Sequence, residues 1–139
     1  MAICNTVTIE LYEQCDCAEK PFWQVSGWLT LSNFSAPAPF RTWLVREVRQ
    51  IRSDLISSQH GLNAAELAAT LMARSARDKR GVSRFEVGSG IAPGSTHVFR
   101  IFIEPDGTLE ITCFAVEKDA RGLLKTLDPI DEPTRLSDS

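Results

Sequence analysis

The chain has 139 residues, 43% hydrophobic and 24% charged, with a net charge of −3. That length suits one domain with a core of its own, and the composition excludes wholesale disorder. The mild acidity gives no bulk drive toward nucleic acid or an anionic membrane, and no apolar run approaches the roughly 20 residues that span a bilayer.

The opening MAICNTVTIELYEQ has no charged stretch followed by an apolar one, so no signal peptide is expected. Cys4, Cys15, Cys17 and Cys113 form no disulfide framework, and reduced thiols in a cytoplasmic setting are expected. In residues 6–12, Val7, Ile9 and Leu11 alternate with Thr8, Glu10 and Tyr12, the period of a strand. Residues 22–32 alternate again, with Trp23, Val25, Leu29 and Leu31 on one side and Gln24, Ser26, Trp28 and Thr30 on the other. Gly27 within that run marks a bulge or a close backbone approach.

Phe40, Leu44, Val48, Ile51 and Leu55 recur at helical spacing and predict a helix over 39–59, with Pro39 in its first turn and Gly61 past its end. Asn63 followed three residues later by Glu66 reads as a capping box for a second helix over 64–78, buried through Leu67, Ala68, Leu71 and Met72. Three strands follow: a short one over 83–87, then 97–104 and 108–117 joined at Pro105-Asp106-Gly107, a hairpin signal. Between the first two, the glycine-rich stretch 88–96 reads as a mobile hairpin loop. A short last helix is expected near 119–127.

The expected fold is therefore α+β: about five antiparallel strands in the chain order ββααβββ, with both helices on one face of the sheet. Residues 1–127 would form the single domain, and 128–139 an acidic, flexible tail.

Two features depart from an ordinary solvated fold. With Val7, Trp23, Phe85, Phe99 and Leu109 turned toward the helices, the opposite parity carries Tyr12, Trp28, Arg84, Arg100, Phe102 and Phe114. A row of rings and guanidinium groups where water should be points to a protein partner or to self-association. Charge is also segregated: residues 41–84 hold nine basic and four acidic side chains. Arg41, Arg46, Arg49, Arg52, Arg74, Arg77, Lys79 and Arg80 are candidates for an anionic partner, nucleic acid included, though the acidic remainder disfavours it.

Chemistry is harder to find. Cys15-Asp16-Cys17 lacks the second ligand pair that zinc requires, unless Cys4, Cys113, His60 or His97 closes around it, so no metal is assigned. His97 or a cysteine could serve an enzyme only beside a partner base. The glycine-rich loop leads into a strand rather than a helix, which disfavours a phosphate cradle. The reading that the sequence favours is a non-enzymatic protein-binding module without a cofactor, such as an adaptor, a chaperone-like factor or a small inhibitor. A nucleic-acid-binding protein and a small enzyme are the alternatives.

Overall fold

The computed structural model describes residues 5–15, 22–32, 37–59, 61–82 and 84–137. Among these residues, seven strands and two helices follow the order β1 (Thr6–Cys15), β2 (Phe22–Leu31), α1 (Pro37–Ser57), α2 (Ala64–Arg77), β3 (Glu86–Val87), β4 (Ser95–Ile103), β5 (Leu109–Lys118), β6 (Leu124–Pro129) and β7 (Thr134–Leu136). The fold is α+β, but its single sheet is mixed and has more than five strands. The spatial order is β3-β2-β1-β4-β5-β6, with β7 also paired to β5.

The departure from a purely antiparallel sheet has a topological cause. After α2 the chain returns to the free side of β2 as β3. It must then reach the far side of β1 to form β4, and residues 88–94 make that crossing. β4 therefore enters parallel to β1, with Ile9 beside Phe99 and Tyr12 beside Phe102. Every other strand pair among the described residues is antiparallel.

The core lies between the sheet and the helix pair. Phe40, Leu44, Val48, Ile51 and Leu55 of α1 are buried, as their spacing requires, together with Leu67, Ala68 and Leu71 of α2. They meet Val7, Ile9, Leu11, Leu29, Leu31, Phe99, Ile101, Leu109 and Ile111 from the sheet. Each large apolar side chain among them contributes about 1.5–3 kcal/mol by leaving water. The Asn63 side chain caps α2 by accepting the Glu66 N–H at 2.9 Å.

Three local expectations are corrected. No helix forms over 119–127: the Asp119 carboxylate accepts the N–H groups of Arg121 and Leu123, Gly122 turns at φ 80, and the chain doubles back as β6. Of the short strand expected over 83–87, only Glu86 and Val87 are strand among the described residues, and residue 83 lies outside them. Trp23 does not face the helices. Between Leu11↔Gly27 and Tyr12↔Val25 the β1–β2 register slips by one residue, so Ser26 is a bulge. A one-residue slip moves everything beyond it to the other face, so Trp23 and Val25 share the face of Tyr12. Gly27 sits beside the bulge where β3 comes in so closely that a Cβ would lie 2.3 Å from the Phe85 ring.

The segment read as a tail lies, as far as residue 137, against the body. Leu136 of β7 is buried in the core, and Arg41 of α1 bonds Asp131, the Glu132 carbonyl and the Thr134 hydroxyl.

Candidate binding face

Both helices pack on one side of the sheet, and the other side is defined by the parity of Thr8, Glu10, Tyr12, Arg100 and Phe102. Its two ends differ. At the β1 entrance the crossover passes over it. The Ala92 N–H donates to Thr8 Oγ1 at 3.0 Å, Thr8 Oγ1 and Ser95 Oγ are 2.7 Å apart, and Ala92 is buried. Gly90 lies against the Trp28 indole, where a Cβ would stand 2.9 Å from Nε1. Beneath this crossing Thr8 and Val98 are fully buried. The stretch 88–94 is thus a strap across the sheet rather than a hairpin loop, with Gly88 (φ 99) and Gly94 (φ 82) at its turns.

The middle and the far end carry a connected ring cluster. Tyr12 and Phe102 stack with centroids 4.8 Å apart, and Trp23 meets Phe102 edge-on at 5.1 Å. The Arg100 guanidinium lies 4.5 Å from the Phe114 ring centroid and 2.9 Å from the Glu10 carboxylate. Glu10 is only 3% exposed. Burial, and then the Glu10 carboxylate nearby, push the Tyr12 hydroxyl above its ordinary range. Of the six residues that alternation nominates, Tyr12, Arg100, Phe102 and Phe114 lie together in this cluster. Trp28 lies on the same face beneath the strap, and Arg84 projects at the edge, bonded to Glu86. The residue that alternation misses is Trp23, 38% exposed. Gly27, out of place inside a strand, is the sequence signal for the bulge that brings Trp23 there.

Three carboxylates of this face are paired within the chain: Glu10 with Arg100, Glu86 with Arg84 and Glu110 with Arg135.

The arginines of 41–80 are largely committed to the fold. Glu47, buried on α1, receives Arg77 at 2.7 Å, with Arg46 at 3.6 Å and Arg74 at 3.7 Å. Arg74 also bonds Asp54, and Arg77 bonds Asp78. Arg52 is buried and donates from Nε to the Gly107 carbonyl at 2.7 Å, tying α1 to the β4–β5 turn. The Arg80 guanidinium stacks at 4.6 Å on Trp43 and at 5.4 Å on Phe40. Lys79 is exposed in the turn after α2. Arg49 is exposed and has no ion-pair partner among the described residues. The basic segment is therefore mostly a helix–helix clamp rather than a free cationic stripe.

The groups that an enzyme could use are separate. Cys113 is buried, and loss of water, helped by Asp131, pushes its thiol up to about 12. The Thr96 hydroxyl donates to the Thr6 carbonyl, so at 3.0 Å it accepts from His97 Nδ1–H. Burial lowers the His97 pKa and favours the neutral ring. Cys4, Cys17 and His60 lie outside the described residues. Among the described residues no group of three His, Cys, Asp or Glu side chains could hold a metal ion, and no helix is long and apolar enough to cross a membrane.

Comparison with known proteins brings no match: no family model fits the chain, and neither a curated protein nor a solved structure resembles it.

Proposed function

We propose that this chain is a non-enzymatic protein-binding module, an adaptor, chaperone-like factor or small inhibitor, that engages its partner through the outer face of the sheet. One observation carries the reading. The half-exposed Trp23 ring stands edge-on to the Phe102–Tyr12 stack, on a face that no helix covers among the described residues. Aromatic side chains of this kind are the usual anchors of protein interfaces, because they bury much area for little lost rotamer freedom. Trp23 and Phe102 are the anchors in this reading. Tyr12 and Phe114 extend the apolar floor, and Arg100 orients the contact. The internal pairing of the charges around them suits a partner surface that is apolar and nearly uncharged. The commitment of Arg46, Arg74, Arg77 and Arg52 to internal bonds supports this reading over nucleic-acid binding.

The test is capture from native extract by the immobilised full chain and by its Trp23→Ala and Phe102→Ala variants. A protein held by the wild type and released by Trp23→Ala at unchanged melting temperature supports the reading. Capture indifferent to both substitutions overturns it.

A further inference from the structure

The two edges of the sheet are finished differently. One edge is β6 and β7, and it is defended. Lys125, Asp128 and Pro129 lie in β6, and Asp131, Glu132 and Pro133 follow it. Charges and prolines of this kind keep a sheet edge from recruiting another strand. The other edge is β2. β3 covers it only from Gly27 onward, with the Gly88 N–H reaching the Ser26 carbonyl at 3.3 Å. Residues 22–25 have β1 on one side and, among the described residues, no strand on the other. Phe22–Leu31 contains neither a charged residue nor a proline. Phe22 and Trp23 are both exposed. Strand backbone that is open along one side accepts an extended chain, since its outward N–H and C=O groups need partners.

We propose that the free stretch 22–25 of β2 pairs antiparallel with the same stretch of a second copy of this chain, about a two-fold axis through Gln24. This rests on the binding reading above and names its partner. Three observations favour a second copy. First, the segment is self-complementary. In this register Trp23 of one copy stands opposite Val25 of the other, and Phe22 opposite Ser26. Trp23 and Val25 both project from the outer face, since they pair with Gln14 and Tyr12 across β1, and an aromatic ring opposite a β-branched side chain is a favourable cross-strand pair. Second, an uncharged segment meets no like charge in its own copy. Third, the defended β6 edge cannot take part, so pairing closes at two copies instead of running on as a fibre. The paired stretch is short. The two outer faces must therefore add area through a ring strip that runs from Phe102 and Tyr12 of one copy, across both Trp23 rings, to those of the other. So small a contact gives an association that depends on concentration.

The experiment is the solution mass of the full chain by sedimentation and light scattering across micromolar concentrations, beside Val25→Lys, Trp23→Lys and, on the opposite edge, Leu127→Lys. The wild type and Leu127→Lys are expected to rise from 15.4 kDa toward twice that mass. Val25→Lys should stay at 15.4 kDa with an unchanged circular dichroism spectrum. If Val25→Lys fails to fold, Trp23→Lys, at an exposed position, gives the same reading. A wild type that is monomeric at every concentration overturns the proposal. So does a dimer that survives both β2 substitutions, or one lost only in Leu127→Lys. A monomer that still captures a foreign protein through Trp23 overturns the dimer alone, whereas a monomer that captures nothing overturns the binding reading with it.

Discussion

The Arg100 guanidinium is the ion-pair partner of Glu10, 2.9 Å away across the β1–β4 pair, and it holds a carboxylate that is almost wholly out of water. Removing one member of such a pair leaves the other charge stranded, which costs more than the pair itself is worth. Arg100→Met should therefore destabilise the fold by about 2–4 kcal/mol in chemical denaturation, less than a fully enclosed pair because Arg100 keeps some contact with solvent. The double variant Glu10→Gln/Arg100→Met should recover at least half of that loss. A single variant as stable as the wild type would place Glu10 in water and leave the outer face more open than described.

The strap over Thr8 and Trp28 depends on a missing side chain. At Gly90 a Cβ would stand 2.9 Å from the indole Nε1, closer than real Cβ contacts come, and 3.0 Å from Cε2. The ring cannot yield as a flexible chain would, so Gly90→Val should lift residues 88–94. A loss of about 1–3 kcal/mol is expected, the usual cost of overpacking. Tryptophan fluorescence should shift to the red as Trp28 gains water, and amide exchange at Ala92 should quicken as its bond to Thr8 loosens. Unchanged fluorescence and exchange would mean that the strap does not lie on Trp28.

How far the sequence foretells this arrangement depends on the range of the forces involved. The α1 stripe, the Asn63 cap and the Pro105-Asp106-Gly107 turn are set by neighbours a few residues apart, and they form where periodicity and turn chemistry put them. Tyr12, Arg100, Phe102 and Phe114 share the outer face because alternation runs undisturbed from Thr8 to Tyr12 in β1 and from His97 to Ile103 in β4. Past Ser26 alternation misleads, since a single inserted residue reverses Trp23 and Val25 without changing the pattern of letters. The parallel entry of β4 and the docking of Leu136 are settled by partners some 90 and 27 residues away in the chain, which a local window does not contain. The arginines read as a cationic stripe because Glu47 is one letter among them. Only the packing of α2 on α1 gathers Arg74 and Arg77 around that carboxylate.

Cys113 makes the fold sensitive to alkali. Its thiol, near 9 in the open chain, is pushed up to about 12 by burial. Below pH 9 both states hold the proton and the group has no effect. Above it the unfolded chain releases the proton while the folded chain keeps it, so stability falls as pH rises from 9 toward 12. Cys113→Ala should flatten the decline of melting temperature between pH 9 and 11, apart from a constant offset for the lost packing. A decline of equal steepness in the variant would assign the effect to other groups, Tyr12 first among them.

Asp78 acts at the opposite limb. Its carboxylate accepts from Arg77 and, at 2.8 Å, from the Trp43 indole N–H, and these bonds hold it at about 2. A depressed carboxylate stabilises the fold above its ordinary value near 3.8, and the contribution drains away as pH falls toward 2. Asp78→Asn should make the melting temperature less dependent on pH between 4 and 2. Trp43 emission should change in the same window in the wild type alone. A wild type and variant that lose stability in parallel would show that the Asp78 bonds do not survive in solution.

Glu47 separates the two uses that the arginines could serve. It is buried at the junction of α1 and α2, and Arg77, Arg46 and Arg74 converge on it. If these side chains clamp the helices, Glu47→Gln should cost about 1–2 kcal/mol, because Arg77 and Arg46 can turn to water and Arg74 keeps Asp54. The substitution also frees cationic groups, so any attraction to polyanions should grow in the variant and be weak in the wild type. Titration with single-stranded RNA at low salt reads this directly. The expected wild-type result is no binding. Tight binding that falls steeply with added salt, and that Arg49→Ala diminishes, would return the exposed face of α1 to service as a phosphate contact.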